Sequence, residues 1–337
     1  MKRVLLLALL AASWLLVGRL AYAEEPPAPG ADQKAPAAAE TGDAKKDAAQ
    51  PQFVRVRRDD KGQPLAMETA IVRYVAAADG NAGVVVDLIG AVHVGDKSYY
   101  DELNKLFESY DVLLYELVAP EGTKIPKDGR KGPSAHPIGA MQDGMSAILE
   151  LQHQLDSIDY TKANFVHADM SPEEFAKSME QRGESFMQLF FRMMGQGMAQ
   201  NASKGGGPSD LEMLVALFSK DRALKLKIMM AEQFNQIDGA LAVLDGPEGS
   251  TILTERNKKC FEVLDKQLKD GKKKIGVFYG AAHLPDMERR LLADHGLKRD
   301  TEQWLAAWNL VKPKKAEKPA PSGDKKPDEK PAEKAPE

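Results

Sequence analysis

The amino-acid sequence predicts an α/β domain: a central mixed sheet with flanking helices, arranged as two related strand-Gly-Ala-x-His-helix halves with a helical insertion between them. Three observations point there. Short apolar runs of strand length alternate with amphipathic helical stretches at both ends of the folded region. A strand, then Gly-Ala-x-His, then a helix occurs twice, around Gly90–His93 and Gly280–His283. The chain between the copies, about 136–247, reads as helices separated by turns.

The N-terminal stretch has Lys2 and Arg3, an apolar run Val4–Val17, and Ala21-Tyr22-Ala23. That order describes a secretory signal peptide over 1–23, so the chain is expected to be exported, to a periplasm or out of the cell. Arg19 interrupts the run before it reaches the roughly 20 residues a membrane span needs, and no later run is comparable. No membrane span is therefore expected after cleavage. Residues 24–52 are Ala/Pro-rich with acidic and basic residues interspersed, too poor in apolar side chains to offset the entropy of ordering, and read as a disordered linker. Residues 312–337 form a Lys/Pro/Glu-rich tail of balanced charge, also expected to be disordered. Together with a net charge of −4, this argues against a nucleic-acid partner. What remains, 53–311, suits one large α/β domain. Cys260 is the only cysteine, which excludes an internal disulfide and suggests a packed thiol.

Within the domain, Phe53–Arg57 alternates as a strand does and is followed by the turn residues Asp59-Asp60-Lys61-Gly62. The β-branched and aromatic run Leu65–Ala77 then completes a hairpin. Val84–Gly90 is nearly continuous in apolar residues and reads as a central strand buried on both faces. Asp96–Tyr110 has helical spacing with Asp96 as N-cap, and Asp111–Val118 is a second buried strand, which makes a βαβ unit. In the insertion, Phe186–Met198 is a Met-rich helix leading into Gly205-Gly206-Gly207-Pro208, read as core packing beside a loop. A helix over Thr251–Lys269, a strand Ile275–Gly280, a helix Asp286–His295 and a strand Thr301–Leu310 close the domain.

The two octets, Ile89-Gly90-Ala91-Val92-His93-Val94-Gly95-Asp96 and Tyr279-Gly280-Ala281-Ala282-His283-Leu284-Pro285-Asp286, share strand, Gly-Ala-x-His, a two-residue link and an Asp able to cap a helix. Glycine at a strand end permits an unusual turn or close backbone approach, and the histidine beyond it projects past the carboxyl edge of the sheet. Glu116 lies near the end of a third apolar strand, where a lone carboxylate is costly to bury. A cation would remove that cost. His93, His283 and Glu116 suit a divalent metal ion, zinc or manganese, with open positions for water and substrate. The bland alternative, satisfied turn histidines with Glu116 paired to an arginine, stays open.

These octets, with Glu116 after the first and Thr254-Glu255-Arg256-Asn257 before the second, resemble the TraB/GumN/Tiki superfamily, whose wider relatives include ChaN-like and erythromycin-esterase-like proteins. The resemblance covers most of Val84–Leu310. It implies an α/β fold of two related halves, with both histidines and the glutamate at a divalent-metal site. Tiki-type members are metal-dependent proteases, and TraB-type members bind or inactivate pheromone peptides. Glu255 and Arg256 would match polar residues on the helix before the second motif. This chain has Pro285-Asp286 where many relatives have Pro-Gly.

The expected chemistry is metal-assisted hydrolysis of a peptide or small amide or ester, with Glu255 as base and Arg256 as oxyanion stabiliser. Asp169 and Tyr279 are further candidates. There is no Gly-x-Ser-x-Gly elbow, His-Glu-x-x-His helix or phosphate-binding glycine loop. The alternative is an exported binding protein that sequesters a peptide or haem without turnover.

Overall fold

The structure, a computed structural model, describes residues 52–77, 83–127, 144, 146–185, 188, 210–234, 245 and 248–312. The expected signal peptide, the linker up to residue 51, the tail beyond residue 312, the Met-rich stretch apart from residue 188 and the Gly205–Pro208 run lie outside the described residues.

The strands in chain order are β1 (Val54–Arg58), β2 (Pro64–Ala76), β3 (Val85–Ala91), β4 (Val94–Gly95), β5 (Val112–Tyr115), β6 (Gln152–His153), β7 (Phe165–His167), β8 (Lys274–Gly280) and β9 (Leu297–Asn309). The helices are α1 (Lys97–Phe107), α2 (Gln154–Ser157), α3 (Pro172–Gln181), α4 (Asp210–Leu217), α5 (Arg222–Phe234), α6 (Arg256–Lys269) and α7 (Leu284–Ala293). None of the described helices is long and apolar enough to cross a membrane.

Seven strands form a central mixed sheet. From β9 at one edge it runs through β2, β3, β8 and β5 to β7. The hairpin partner β1 lies along the first half of β2. The strands β3, β8, β5 and β7 are parallel, and β2 runs against β3. The strands alternate their side chains between two packed layers. Ile89, Leu113 and Phe278 face the layer covered by α1, where Tyr99, Tyr100, Leu103 and Phe107 are buried. Leu88, Leu114, Val277 and Tyr279 face Cys260, Phe261 and Leu264 of α6 and Met287 and Leu291 of α7.

The hairpin, the buried strand β3 and the parallel β3–α1–β5 unit appear as the residue patterns imply. However, β3 and β5 are not neighbours, because β8 enters from the other end of the chain and lies between them. The one buried carboxylate on β3, Asp87, is satisfied by Arg73 at 2.9 and 2.8 Å and by the Tyr110 hydroxyl at 2.8 Å.

Several local expectations are corrected. The segment 136–247 is not purely helical, since it supplies β6 and the sheet-edge strand β7. Three residues are too few to show a period-2 pattern, and β7 is held by tertiary contacts, including Phe165 against Phe107 and Tyr115. Asp96 occupies the N-cap of α1 but its side chain makes no capping bond. Its oxygens accept instead from Lys227 Nζ at 2.8 Å and the Asn309 amide at 2.5 Å. Asp286 lies within the first turn of α7, which starts two residues earlier than expected and has His283 at its N-cap. The helix expected from Thr251 opens with a π-helical turn, Thr251–Glu255, before α6 proper. The last strand begins at Leu297, extended by pairing with β2.

Gly276 lets β8 slide between its neighbours. A Cβ there would lie 2.6 Å from Leu113 Cδ1 and 3.0 Å from Tyr110 Cδ2, and the Tyr110 ring is tethered through its hydroxyl to Asp87. Gly276→Val is therefore expected to destabilise the fold by about 1–3 kcal/mol through overpacking, measured as a lowered urea midpoint with an unchanged m-value.

Candidate functional site

Because β3 and β8 are adjacent and parallel, with Ala91 opposite Gly280, the two Gly-Ala-x-His motifs leave the sheet at the same carboxyl edge. Beyond that edge they differ. The first continues into β4, which pairs with β6 through Val94 and His153. The second tightens into a 3-10 turn, Ala281–His283, that runs into α7. Four carbonyls of the first loop are engaged: Tyr99 Oη donates to Gly90 O at 2.9 Å, and Tyr100 Oη donates to Val92 O at 2.9 Å. The Gln154 amide donates to His93 O at 2.9 Å, and Trp308 Nε1 donates to Val94 O at 2.7 Å.

Glu116 directly follows β5, the other neighbour of β8, so its side chain comes down beside the second motif. The Gly280 amide donates to Glu116 Oε2 at 2.6 Å. A Cβ on Gly280 would stand 3.1 Å from that oxygen, which explains the glycine as a close backbone approach. The other oxygen, Oε1, accepts from Arg256 Nη2 at 2.6 Å.

Arg256, the first residue of α6, is buried and bridges two strand ends. It donates to Asp169 Oδ1 from Nε at 2.9 Å and to Oδ2 from Nη2 at 2.6 Å, a bidentate pair just beyond β7. The π-helical turn before it is held by Arg182, which donates to Gly249 O at 2.5 Å and to Glu248 O at 3.0 Å.

His283 lies at the same point. Its Nε2 is 3.6 Å from Glu116 Oε1 and 3.5 Å from Arg256 Nη1, while Nδ1 is 2.7 Å from Asn257 Oδ1. Tyr279 packs edge-on to the His283 ring at 5.2 Å between centroids and donates its hydroxyl to Ala168 O. The structure thus brings Glu116, Asp169, Tyr279, Arg256 and His283 into one buried cluster. His93 is half-buried and close enough for its charge to act on both Glu116 and His283. Glu255 is turned elsewhere, its Oε1 accepting from Lys258 at 2.8 Å and Arg182 at 3.3 Å.

The electrostatics follow from burial and charge. Burial pushes the Glu116 carboxyl upward, but Arg256, then His283, His93 and the Gly280 amide overcome it and hold the group below the usual carboxylate range. Burial works against the charged form of Arg256 too, yet Asp169 and Glu116 raise its pKa. For His283 burial dominates, assisted by Arg256 and opposed by Glu116, and its pKa falls from 6.5 to about 4. The cost of burying Glu116, for which a metal ion was expected, is offset here by a guanidinium and a backbone amide. Among the described residues, no three His, Cys, Asp or Glu side chains are grouped so as to hold a metal ion.

No family model, curated protein or solved structure matches the chain. The site therefore has to be understood from its own geometry. The sequence reading passed over Asn257, which stands beside Arg256 in the quoted Thr-Glu-Arg-Asn run, and over Tyr99 and Tyr100, whose hydroxyls tie down the first loop. Adjacency to Arg256 was a usable signal for Asn257. The tyrosines carried none, since their spacing is that of ordinary core residues.

Two outcomes are expected. Arg256→Met leaves Glu116 and Asp169 buried without their countercharge and should cost about 3–5 kcal/mol at neutral pH, read by chemical denaturation. The unfolded imidazole of His283 takes up a proton below about 6.5, whereas the folded ring stays neutral down to about 4. The unfolded state thus binds more protons in that window, and stability falls as pH falls through it, by at most about 1.4 kcal/mol per pH unit from this group. His283→Gln should flatten that part of the stability-pH curve.

Proposed function

We propose that this chain is an exported hydrolase acting on a peptide or a small amide or ester, using a divalent ion, zinc or manganese, for which Glu116 and His283 are the ligands already paired and His93 the third, completing the set only by closing on them. The observation that carries this reading is the 3.6 Å between His283 Nε2 and Glu116 Oε1, at the carboxyl edge of adjacent parallel strands. Two atoms bonded to one ion at about 2.0–2.2 Å each can lie that far apart. The charge balance also suits a cation, since two carboxylates, Glu116 and Asp169, face a single guanidinium. The paired octets on neighbouring strands fit the two related halves of the TraB/GumN/Tiki resemblance, and residues 1–23 support export.

When bound, the ion would polarise the scissile carbonyl and lower the pKa of a water. The rest falls to the chain. Arg256 keeps Glu116 ionised and lies where a guanidinium can stabilise an oxyanion. Tyr279 packs against the His283 ring and the cluster is buried, which strengthens each charge within it. Glu255 would have to leave Lys258 and Arg182 to serve as base, so the geometry gives that role no support.

A second reading is favoured by Arg256 Nη2 standing 2.6 Å from Glu116 Oε1. There the guanidinium takes the place of the ion, and the protein binds a peptide without cleaving it. Metal content of the purified protein, with cleavage of a peptide and ester library in the presence and absence of chelator, separates the two. Under the first, His93→Ala and His283→Ala each lose bound metal, and chelator-sensitive cleavage falls by about 100-fold or more. Peptide binding without metal or cleavage replaces it with the second. A protein with neither metal, cleavage nor peptide binding discards both.

A further inference from the structure

We infer that Asn257 is a positioning residue that fixes the tautomer of His283, placing the ring proton on Nδ1 and aiming the Nε2 lone pair at Glu116 and Arg256. The argument is one of donors and acceptors. Asn257 is fully buried in the first turn of α6. Its Nδ2 stands 3.2 Å from the His283 carbonyl oxygen and 2.8 Å from Asp286 Oδ2, and both of those atoms face it as acceptors. The Asp286 carboxylate is kept ionised and oriented by Arg290, whose Nε donates to Oδ2 at 2.7 Å, and by Arg289. Turning the amide over would set its oxygen against two oxygens. The amide is therefore held with Oδ1 toward His283 Nδ1, 2.7 Å away. A carbonyl oxygen only accepts, so Nδ1 carries the hydrogen, and in the neutral ring Nε2 is left with its lone pair.

One amide thus grips His283 twice, at the ring and at its backbone carbonyl. The neighbouring residue Arg256 grips Glu116, so the start of α6 sets both halves of the centre. The catalytic consequence rests on the hydrolase reading, because a lone pair on Nε2 is what either a metal ion or a transferred proton requires. The tautomer itself rests on the hydrogen bonds alone.

The test is long-range ¹H–¹⁵N correlation on the full chain with ¹⁵N-labelled histidine at neutral pH, with His283 assigned by its loss in His283→Gln. A pyrrole-type Nδ1 is expected in the wild type, where Asn257 Oδ1 accepts the ring proton. In Asn257→Leu and in Asn257→Ala the signal should move to the Nε2–H form or to a mixture, and kcat/KM for cleavage should fall by about 10- to 100-fold. A pyrrole-type Nε2 in the wild type overturns the inference, as does an unchanged spectrum in Asn257→Leu. Should Asn257→Leu fail to fold, the wild type and Asn257→Ala decide. The expected tautomer without cleavage of any substrate retires the hydrolase reading and leaves the role of Asn257 standing.

Discussion

A guanidinium taken almost entirely out of water has to meet carboxylates, and Arg256 meets two. Its side chain is 6% exposed and lies between Asp169, fully buried, and Glu116. Neither acid is tolerable there without it, and it is not tolerable without them. Each belongs to a different part of the chain: Glu116 to the end of β5, Asp169 to the end of β7, and Arg256 to the first residue of α6. Closing the pair therefore requires the sheet edge and the helix start to be in register at the same time.

The strand order supplies that register. With β8 inserted between β3 and β5, the second motif emerges between the first motif and Glu116. The Gly280 amide is thereby delivered to Glu116 Oε2, and the 3-10 turn behind it swings His283 back over Oε1. On the other side, the first motif is built as scaffold as much as site. Four carbonyls from Gly90 to Val94 are tied to side chains or backbone of α1, α2 and β9, so His93 departs from a loop with little freedom to re-form. The same sequence pattern thus does two structural jobs.

Much of this was legible in advance where the signal is local. Val84–Gly90 announced a buried strand because nearly every residue in it is apolar, and the spacing of Tyr100, Leu103 and Phe107 announced the face of α1 that packs on the sheet. Glu116 and His283 stood out as titratable groups at an apolar strand and a motif glycine, Arg256 entered only through the family resemblance, and the three do converge. Glu255 looked equivalent to its neighbour Arg256. However, one residue along a helix turns a side chain by about 100°, which sends the glutamate to Arg182 and Lys258 instead. Strand β7 escaped notice because its three residues owe their conformation to the edge of β5 rather than to any pattern of their own.

The sequence by itself determined the alternation of strands and helices, the repeated Gly-Ala-x-His turns and the identity of the groups that could do chemistry, since these depend on residue type and on spacing along a few turns of chain. Only the tertiary structure decided that β8 lies between β3 and β5, that Arg256 supplies the positive charge beside Glu116, and that the Asn257 side chain meets the ring of the second histidine. Those outcomes join residues as far apart as Val85 and Lys274. Pairing across that distance is selected by which burial leaves no charge or hydrogen-bonding group unsatisfied, and no local pattern encodes it.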